Sequence, residues 1–414
     1  MRLVPRSTKA IAFTISGVCV ALALLLLAGL VVRGGLLDSG DQEGSSQGFE
    51  AQQAPTGDAG ATAWPEYGYD TARSRANPAL DLAPPFNRVW KREARALVEF
   101  PPVAAAGRLV FATNGRYAVQ LNSATGGIYW YVKLSGRAAA SPAIAGELVL
   151  FATDDGYITA RAWRTGDVVW HVKVGSSTES SPLVVGDRFY VGDLDGNVHC
   201  MHVATGKHVW RANVGGAIKS SVTLSGRDVV VGDYTGHVTA LRAATGKAHW
   251  RAESPGKLVG GSGSIYGNPA AAYGRIYVTN INGRVFALDA HDGSIAWVRV
   301  LPDWVYSSPA VSGETVYVGS YDHRLYALSA VTGKVKWSFD AGERIAGSPT
   351  VIGRYVWFAT LARRPRDGRT FALDAASGEK AWTFPDGRYT PAIGVEGRLI
   401  LTGVRDLYGM APAP

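Results

Sequence analysis

The chain has 414 residues and a formal net charge of +8, with 47% hydrophobic and 18% charged residues, 50 glycines and only two cysteines. That is ample material for one large core or two domains, while Cys19 and Cys200, far apart and differently surrounded, give no basis for a disulfide framework. Abundant glycine with many valines, tyrosines and tryptophans suits short strands joined by tight turns, and helical periodicity is absent beyond the N-terminus.

The first element is an expected membrane span. Arg2, Arg6 and Lys9 precede an uncharged apolar run, residues 11–32. As a helix those residues would rise roughly 33 Å, enough to cross a hydrocarbon core of about 30 Å. The following segment carries Asp38, Asp41, Glu43, Glu50 and Asp58. The positive-inside bias therefore predicts that residues 1–10 stay cytoplasmic and the rest of the chain is extracytoplasmic. The run is longer than a usual signal-peptide core and no small-x-small cleavage site follows it, so an uncleaved single-pass signal anchor is expected. Residues 33–63 are rich in Gly, Ser, Gln, Ala and acid and read as a disordered tether.

A repeat follows. Tryptophans fall at Trp90, Trp130, Trp170, Trp210, Trp250, Trp297, Trp337 and Trp382, mostly forty residues apart, and seven of the eight follow a glycine by four residues, as in "ATGKHVW" and "ATGKAHW". Such a period signals stacked units. In the unit "SSPAVSGETVYVGSYDHRLYALSAVTGKVKWSFD", four strands with alternating apolar and polar residues are separated by turns. Repeated radially, that is a propeller blade. Trp90 has a tryptophan strand with no inner strands before it. After Trp382 three strands appear and no tryptophan strand follows. The N-terminal strand should complete the last blade and close an all-β, eight-bladed ring without a free edge.

The pattern "NGRVFALDAHDGSIAW" followed by "SSPAVSGETVYVGS" resembles the pyrroloquinoline quinone (PQQ)-like repeat propellers, and "WPEYGYDTARSRANPAL", from Trp64, looks like the start of quinoprotein propellers. The resemblance assigns residues 64–414 to one propeller domain. It implies one of two functions: a BamB-like protein-interaction propeller, or a quinoprotein-like oxidoreductase using PQQ and calcium. The dehydrogenases of the family characteristically carry adjacent cysteines against the cofactor, and this chain has no such pair. BamB-like lipoproteins are lipidated on a cysteine at the start of the mature chain, whereas Cys19 lies inside the apolar run.

No nucleophile–base pair, phosphate loop or carboxylate pair stands out from the repeat, so no catalytic, cofactor-binding or metal-binding residue is assigned. "HCMH", residues 199–202, resembles a metal site, but Cys200 aligns with Ala160, Ala240, Ala287 and Ala327 of other blades and reads as a small packed position. The eight blade tryptophans read as packing between blades. Two insertions are more informative: the 19-residue linker from Trp250 to Pro269, against 12 from Trp297 to Pro309, and the hairpin turn Leu361–Gly368. Linkers and middle hairpin turns open on one face of a propeller, and loops on a rigid scaffold commonly carry binding. Residues before each inner strand should line that mouth: Glu99, Arg137, Glu179, Lys219, Tyr266, Trp304, Tyr306, Arg344, Arg388 and Tyr389. Arg363, Arg364, Arg366 and Arg369 add positive charge beside them. The first 63 residues hold four of the 42 basic and five of the 34 acidic side chains, leaving net +9 beyond them. Outside the cytoplasm that charge suits an acidic envelope protein, an anionic polymer or phospholipid headgroups rather than nucleic acid. The expectation is a membrane-anchored, non-catalytic binding scaffold of the cell envelope.

Overall fold

The computed structural model describes residues 40–50, 63–257, 261–389 and 392–414. The expected cytoplasmic N-terminus and signal anchor, residues 1–32, lie outside them. Among the described residues no helix is long and apolar enough to cross a membrane.

Seven blades follow one another over residues 103–133, 143–173, 183–213, 223–253, 270–300, 310–340 and 350–384, each an antiparallel sheet ordered from inner to outer strand. In blade 6 the strands are Ala310–Ser312, Thr315–Gly319, Arg324–Ser329 and Val335–Asp340. The second and third are buried on both faces, because each blade is sandwiched between two others; only the outer strand alternates with solvent. Period-two alternation is therefore confined to the rim. The middle hairpins need a positive φ, which Gly156, Gly196, Gly236 and Gly283 supply, and which His323 adopts at 74° in blade 6.

The repeated turn and tryptophan are two halves of one contact between blades. The indole of each blade donates its Nε1–H to a carbonyl at the next blade's turn: Trp90 to Ser123, Trp130 to Trp163, Trp170 to Val203, Trp210 to Ala243, Trp250 to Ala290, Trp297 to Ala330 and Trp337 to Ala375, at 2.8–3.2 Å. The turn glycine lies flat against the ring. A Cβ on Gly246 would sit 2.6 Å from Cε3 of Trp210. Trp382 is the exception, since blade 8 has no such turn. It packs instead among Phe86, Trp357 and Phe384, with ring centroids 5.5–5.9 Å apart.

Blade 8 closes the ring as expected. Its strands Ile393–Val395, Arg398–Thr402 and Asp406–Pro412 are completed by the N-terminal strand Phe86–Glu93, paired from Phe86↔Pro412 to Glu93↔Asp406.

Residues 64–77 run across the centre as a plug that meets the inner strand of blade after blade. The amides of Ile144, Leu224, Ala271, Val311 and Val351 donate to carbonyls of Pro65, Thr71, Ala72, Ser74 and Arg75, and Trp64 exchanges two hydrogen bonds with Ala104. Tyr69, Arg73 and Arg75 take positive φ within it. Arg73, 1% exposed, donates to carbonyls of Ser181, Pro182 and Val222 and pairs with Glu66 at 3.3 Å. Burial raises the Glu66 carboxyl to about 7, against the pull of Arg73, and that of Asp70 to about 6, against its hydrogen bonds from Ser74.

A disordered tether is expected over residues 33–63, yet residues 40–50 lie along the rim of blade 5. Gln42 bridges Val298 and Phe49 stacks on Tyr273. Specific polar and aromatic partners hold a segment whose composition alone could not bury a core.

Candidate functional site

The axis of the disc opens on one face as a cavity of about 310 Å³. Its floor is the plug, through Tyr67 and Arg75; its walls are the residues leading into the inner strands. A ring of hydroxyls and one amide stitches those residues together. The amide of Ser141 donates to Oγ of Ser181, that of Ser181 to Ser221, that of Asn268 to Ser308 and that of Ser308 to Ser348, at 2.8–3.1 Å, and the amide of Ser221 donates to Oδ1 of Asn268. The mouth is thus held rigid by contacts that cross every blade boundary from blade 2 to blade 7.

Of the residues expected at the mouth, Glu99, Glu179, Lys219, Tyr266, Tyr306 and Tyr389 line the cavity. Arg137 lies in an adjoining cleft, 2.7 Å from Asp154. Trp304, Arg344 and Arg388 stand beside the cavity. Aromatic rings form a continuous arc: Tyr234 to Tyr266 at 6.4 Å, Tyr266 to Tyr306 at 5.5 Å, Tyr306 to Tyr321 at 5.0 Å and Trp304 to both Tyr306 and Tyr321 at 6.2 Å. Cations cap it, with Lys219 over Tyr234, Arg344 over Tyr321 and Arg388 over Tyr389 at 4.9–5.4 Å. Lys219 also pairs with Glu179 at 3.2 Å. Trp304 is 52% exposed, a large aromatic presented to solvent on a stiff mount.

The long hairpin of blade 7 reaches the same face. The amide of Leu361 donates to the carbonyl of Arg344, and Gly368 packs on the Gly387 carbonyl. Between them Pro365–Asp367 form a 3₁₀ turn that leaves Arg363, Arg364, Arg366 and Arg369 exposed. In the linker to blade 5, Gly256–Lys257 and Gly261–Ser262 form a short ribbon. Ile265 plugs into the backbone of Gly232, as Ile218 does at Gly192 and Ile345 at Gly319, which points Tyr266 into the mouth.

Sequence reasoning missed Tyr67, Arg75, Tyr234 and Tyr321. The first two arrive on the plug; the others sit in hairpin turns, where an aromatic residue has no packing role and could have signalled a surface use. Arg75 is 1% exposed and donates Nε–H to Pro349 O at 2.9 Å. It lies 4.5 Å over the Tyr67 ring. Burial opposes ionisation of that phenol, but Arg75 and hydrogen bonds to Ser348 and Ser308 outweigh it and lower its pKa.

The "HCMH" stretch is structural in its geometry. Cys200 is buried opposite Tyr190, and burial pushes its thiol up. His199 is held inside the blade, its Nε2 meeting Asp193 at 2.9 Å and its Nδ1 meeting His208 at 3.1 Å, whereas His202 lies at the surface, 3.6 Å from Asp187. Among the described residues no group of three His, Cys, Asp or Glu side chains could hold a metal ion. The mouth's carboxylates, Glu99 and Glu179, are engaged with Asn114 and Lys219. These carboxylate oxygens, with Asn268 beside them, are of the kind calcium takes but are spent on protein partners, and there is no adjacent cysteine pair to face a quinone.

The sequence matches the family model described as outer membrane protein assembly factor BamB over residues 82–217, 194–304 and 299–405. No curated protein matches it. Among solved structures, BamB from Moraxella catarrhalis superposes with a TM-score of 0.66 at 18% identity, covering 79% of this chain and 100% of that one. A europium-containing methanol dehydrogenase gives 0.70 at 13% identity, covering 85% and 98%. The quinohemoprotein alcohol dehydrogenase of Comamonas testosteroni gives 0.69 at 16%, covering 86% and 82%. At these identities the structural likeness establishes the propeller fold.

Proposed function

We propose a function from the premise that the chain belongs to the PQQ-like repeat family described as outer membrane protein assembly factor BamB: it is a protein-interaction scaffold of the cell envelope. The propeller is anchored by residues 11–32, with residues 1–10 cytoplasmic and the disc outside, and its mouth face receives an acidic partner. The observation that carries this reading is the aromatic arc from Tyr234 to Trp304 beside Arg344 and Arg388. Rigid exposed aromatics with arginines are the composition of binding hot spots. Tyr and Trp bring large contact area at low entropic cost, while the exposed arginines at residues 363–369 steer an anionic surface toward them. The quinoprotein alternative rests on fold likeness to the dehydrogenases, and this chain lacks the adjacent cysteine pair that they characteristically carry.

The test is charge reversal. Changing Arg363, Arg364 and Arg366 together to Glu should slow association with the partner by about tenfold or more at low salt, with a smaller effect at high salt as screening shortens. Reversing Lys207 and Lys247, beside Thr-Gly turns on the opposite face, should leave association unchanged. Equal binding by both variants would refute the mouth-face assignment.

A further inference from the structure

Blade 5 differs from the other blades at its rim. In its outer strand Ile295–Val300 the residue after the tryptophan is Val298, where other blades have Tyr131, His171, Arg211, Arg251, Ser338 and Thr383. Val298 is 1% exposed and Trp297 0%, whereas Tyr131 is 42% exposed. Residues 41–44 account for the difference. Gln42 and Val298 exchange two backbone hydrogen bonds of 2.8 and 2.9 Å, and the amide of Val300 donates to Asp41 at 2.7 Å. Asp41 pairs with Arg299, and Glu43 with Lys334 at 3.0 Å. Gly44 lies so close that a Cβ would fall 2.8 Å from Val331 O and 2.9 Å from Cδ1 of Trp297.

The lower half of the segment is received by Arg275, 2% exposed. One of its Nη groups donates to Ala330 O and Val331 O of blade 6, and the other donates to Ser45 O and Gln47 O at 2.7 and 3.2 Å. A buried guanidinium that spends one whole nitrogen on main-chain carbonyls of an incoming segment reads backbone rather than side chains. Phe49 then covers it, 5.1 Å from the Tyr273 ring and 5.2 Å from the Arg275 guanidinium. Glu50 N–H bonds Tyr273 O at 3.0 Å.

We propose that the rim of blades 5 and 6 is a peptide-recognition site whose ligand is the chain's own residues 41–50, an acidic segment that pairs with the strand at Gln42, requires a glycine at Gly44, turns over residues 46–49 and seats Phe49 next to its last residue. Edge pairing supplies affinity, in the manner of strand addition, and Asp41, Glu43, Gly44 and Phe49 supply selectivity. The docked segment acts as a strap. Given the anchored reading on which this consequence rests, the strap leaves only residues 33–40 as free linker, a reach of at most about 28 Å, whereas an undocked 33–63 could extend to about 105 Å. The disc is then held close to the bilayer by the end of blade 5's outer strand at Val300, where Asp41 docks.

The strap is tested on the full chain in detergent, where the side of the membrane has no bearing on the result. Cleavage after Glu43 by a glutamate-specific protease should be at least ~30-fold slower than in a free peptide of residues 38–52, since docked backbone must open before it is cut. Asp41→Lys with Phe49→Ala should bring cleavage to within about threefold of the free peptide without moving the propeller's thermal unfolding. A labelled peptide of residues 40–50 should bind that variant and not the native chain. Cleavage of the native chain at the free-peptide rate, an unchanged rate in the variant, or failure of the peptide to bind the released site would each overturn the proposal. A failure of external protease to reach the propeller on spheroplasts would instead refute the anchored topology and leave the strap untouched.

Discussion

Gly246→Ala separates the two reasons for a glycine in the repeated turn. Gly246 has φ of 72°, and an added Cβ would meet Cε3 and Cδ2 of Trp210 at 2.6 and 2.7 Å. Gly226, in the same blade, has φ of 57° with nothing within 4 Å of an added Cβ. Gly226→Ala therefore carries only the left-handed backbone cost, about 1 kcal/mol. Gly246→Ala adds overpacking of about 1–3 kcal/mol, for a total of about 2–4 kcal/mol. Trp210→Ala should cost about 3 kcal/mol, the lower end for an indole because the ring is only half-buried. In the Trp210→Ala background the added methyl has no ring to meet, so Gly246→Ala should again cost about 1 kcal/mol, a coupling of about 1–3 kcal/mol. Urea unfolding followed by far-UV circular dichroism measures all four corners of the cycle. Additivity within about 0.5 kcal/mol would refute the view that turn and tryptophan form one contact.

Deleting residues 406–414 should remove the partner of Phe86–Glu93, open the ring and abolish a single cooperative transition; calorimetry showing an unchanged transition would contradict closure at that seam. Glu66 and Asp70 hold their protons to about 7 and about 6 in the folded chain. The folded state thus binds more protons than the unfolded one, so their stabilising contribution is full at acid pH and is lost as pH rises toward about 7. Glu66→Gln should flatten that part of the thermal midpoint's pH profile between pH 5 and 7. His199→Leu should destabilise by about 1.5–3 kcal/mol, because the buried Asp193 loses the imidazole at its Oδ2 and keeps only the Asp195 amide and Asn197. Cys200→Ala should cost about 1 kcal/mol, and added zinc should rescue neither in denaturant titrations.

The ring was legible because its determinants are local and repeated. "ATGKHVW" places a turn glycine and an indole at a fixed interval, and the unpaired strand at Trp90 announces the seam. The mouth was half legible. Lys219, Tyr266 and Tyr306 precede inner strands at a constant offset, so the repeat locates them. Tyr67 and Arg75 reach the cavity on a plug where, for example, Arg75 bonds Pro349, 274 residues away, and no periodicity marks such a contact. Four arginines that composition would place on the surface, Arg73, Arg75, Arg275 and Arg284, are at most 2% exposed; the first three find main-chain carbonyls on chain segments remote in sequence. The strap was illegible for the same reason. Residues 41–50 have the composition of a linker, and only the apolar Val298 on the opposing strand betrays that something covers it.

The central claim, that the mouth face docks an envelope partner, is tested most directly by site-specific photo-crosslinking in intact cells. A photoreactive residue at Trp304 or Arg364 should give a discrete adduct that is lost when Arg344 and Arg388 are reversed to Glu, while the same probe at Lys207 on the opposite face gives none. Equal adducts from both faces, or none from the mouth with a strong one at Lys207, would contradict the account.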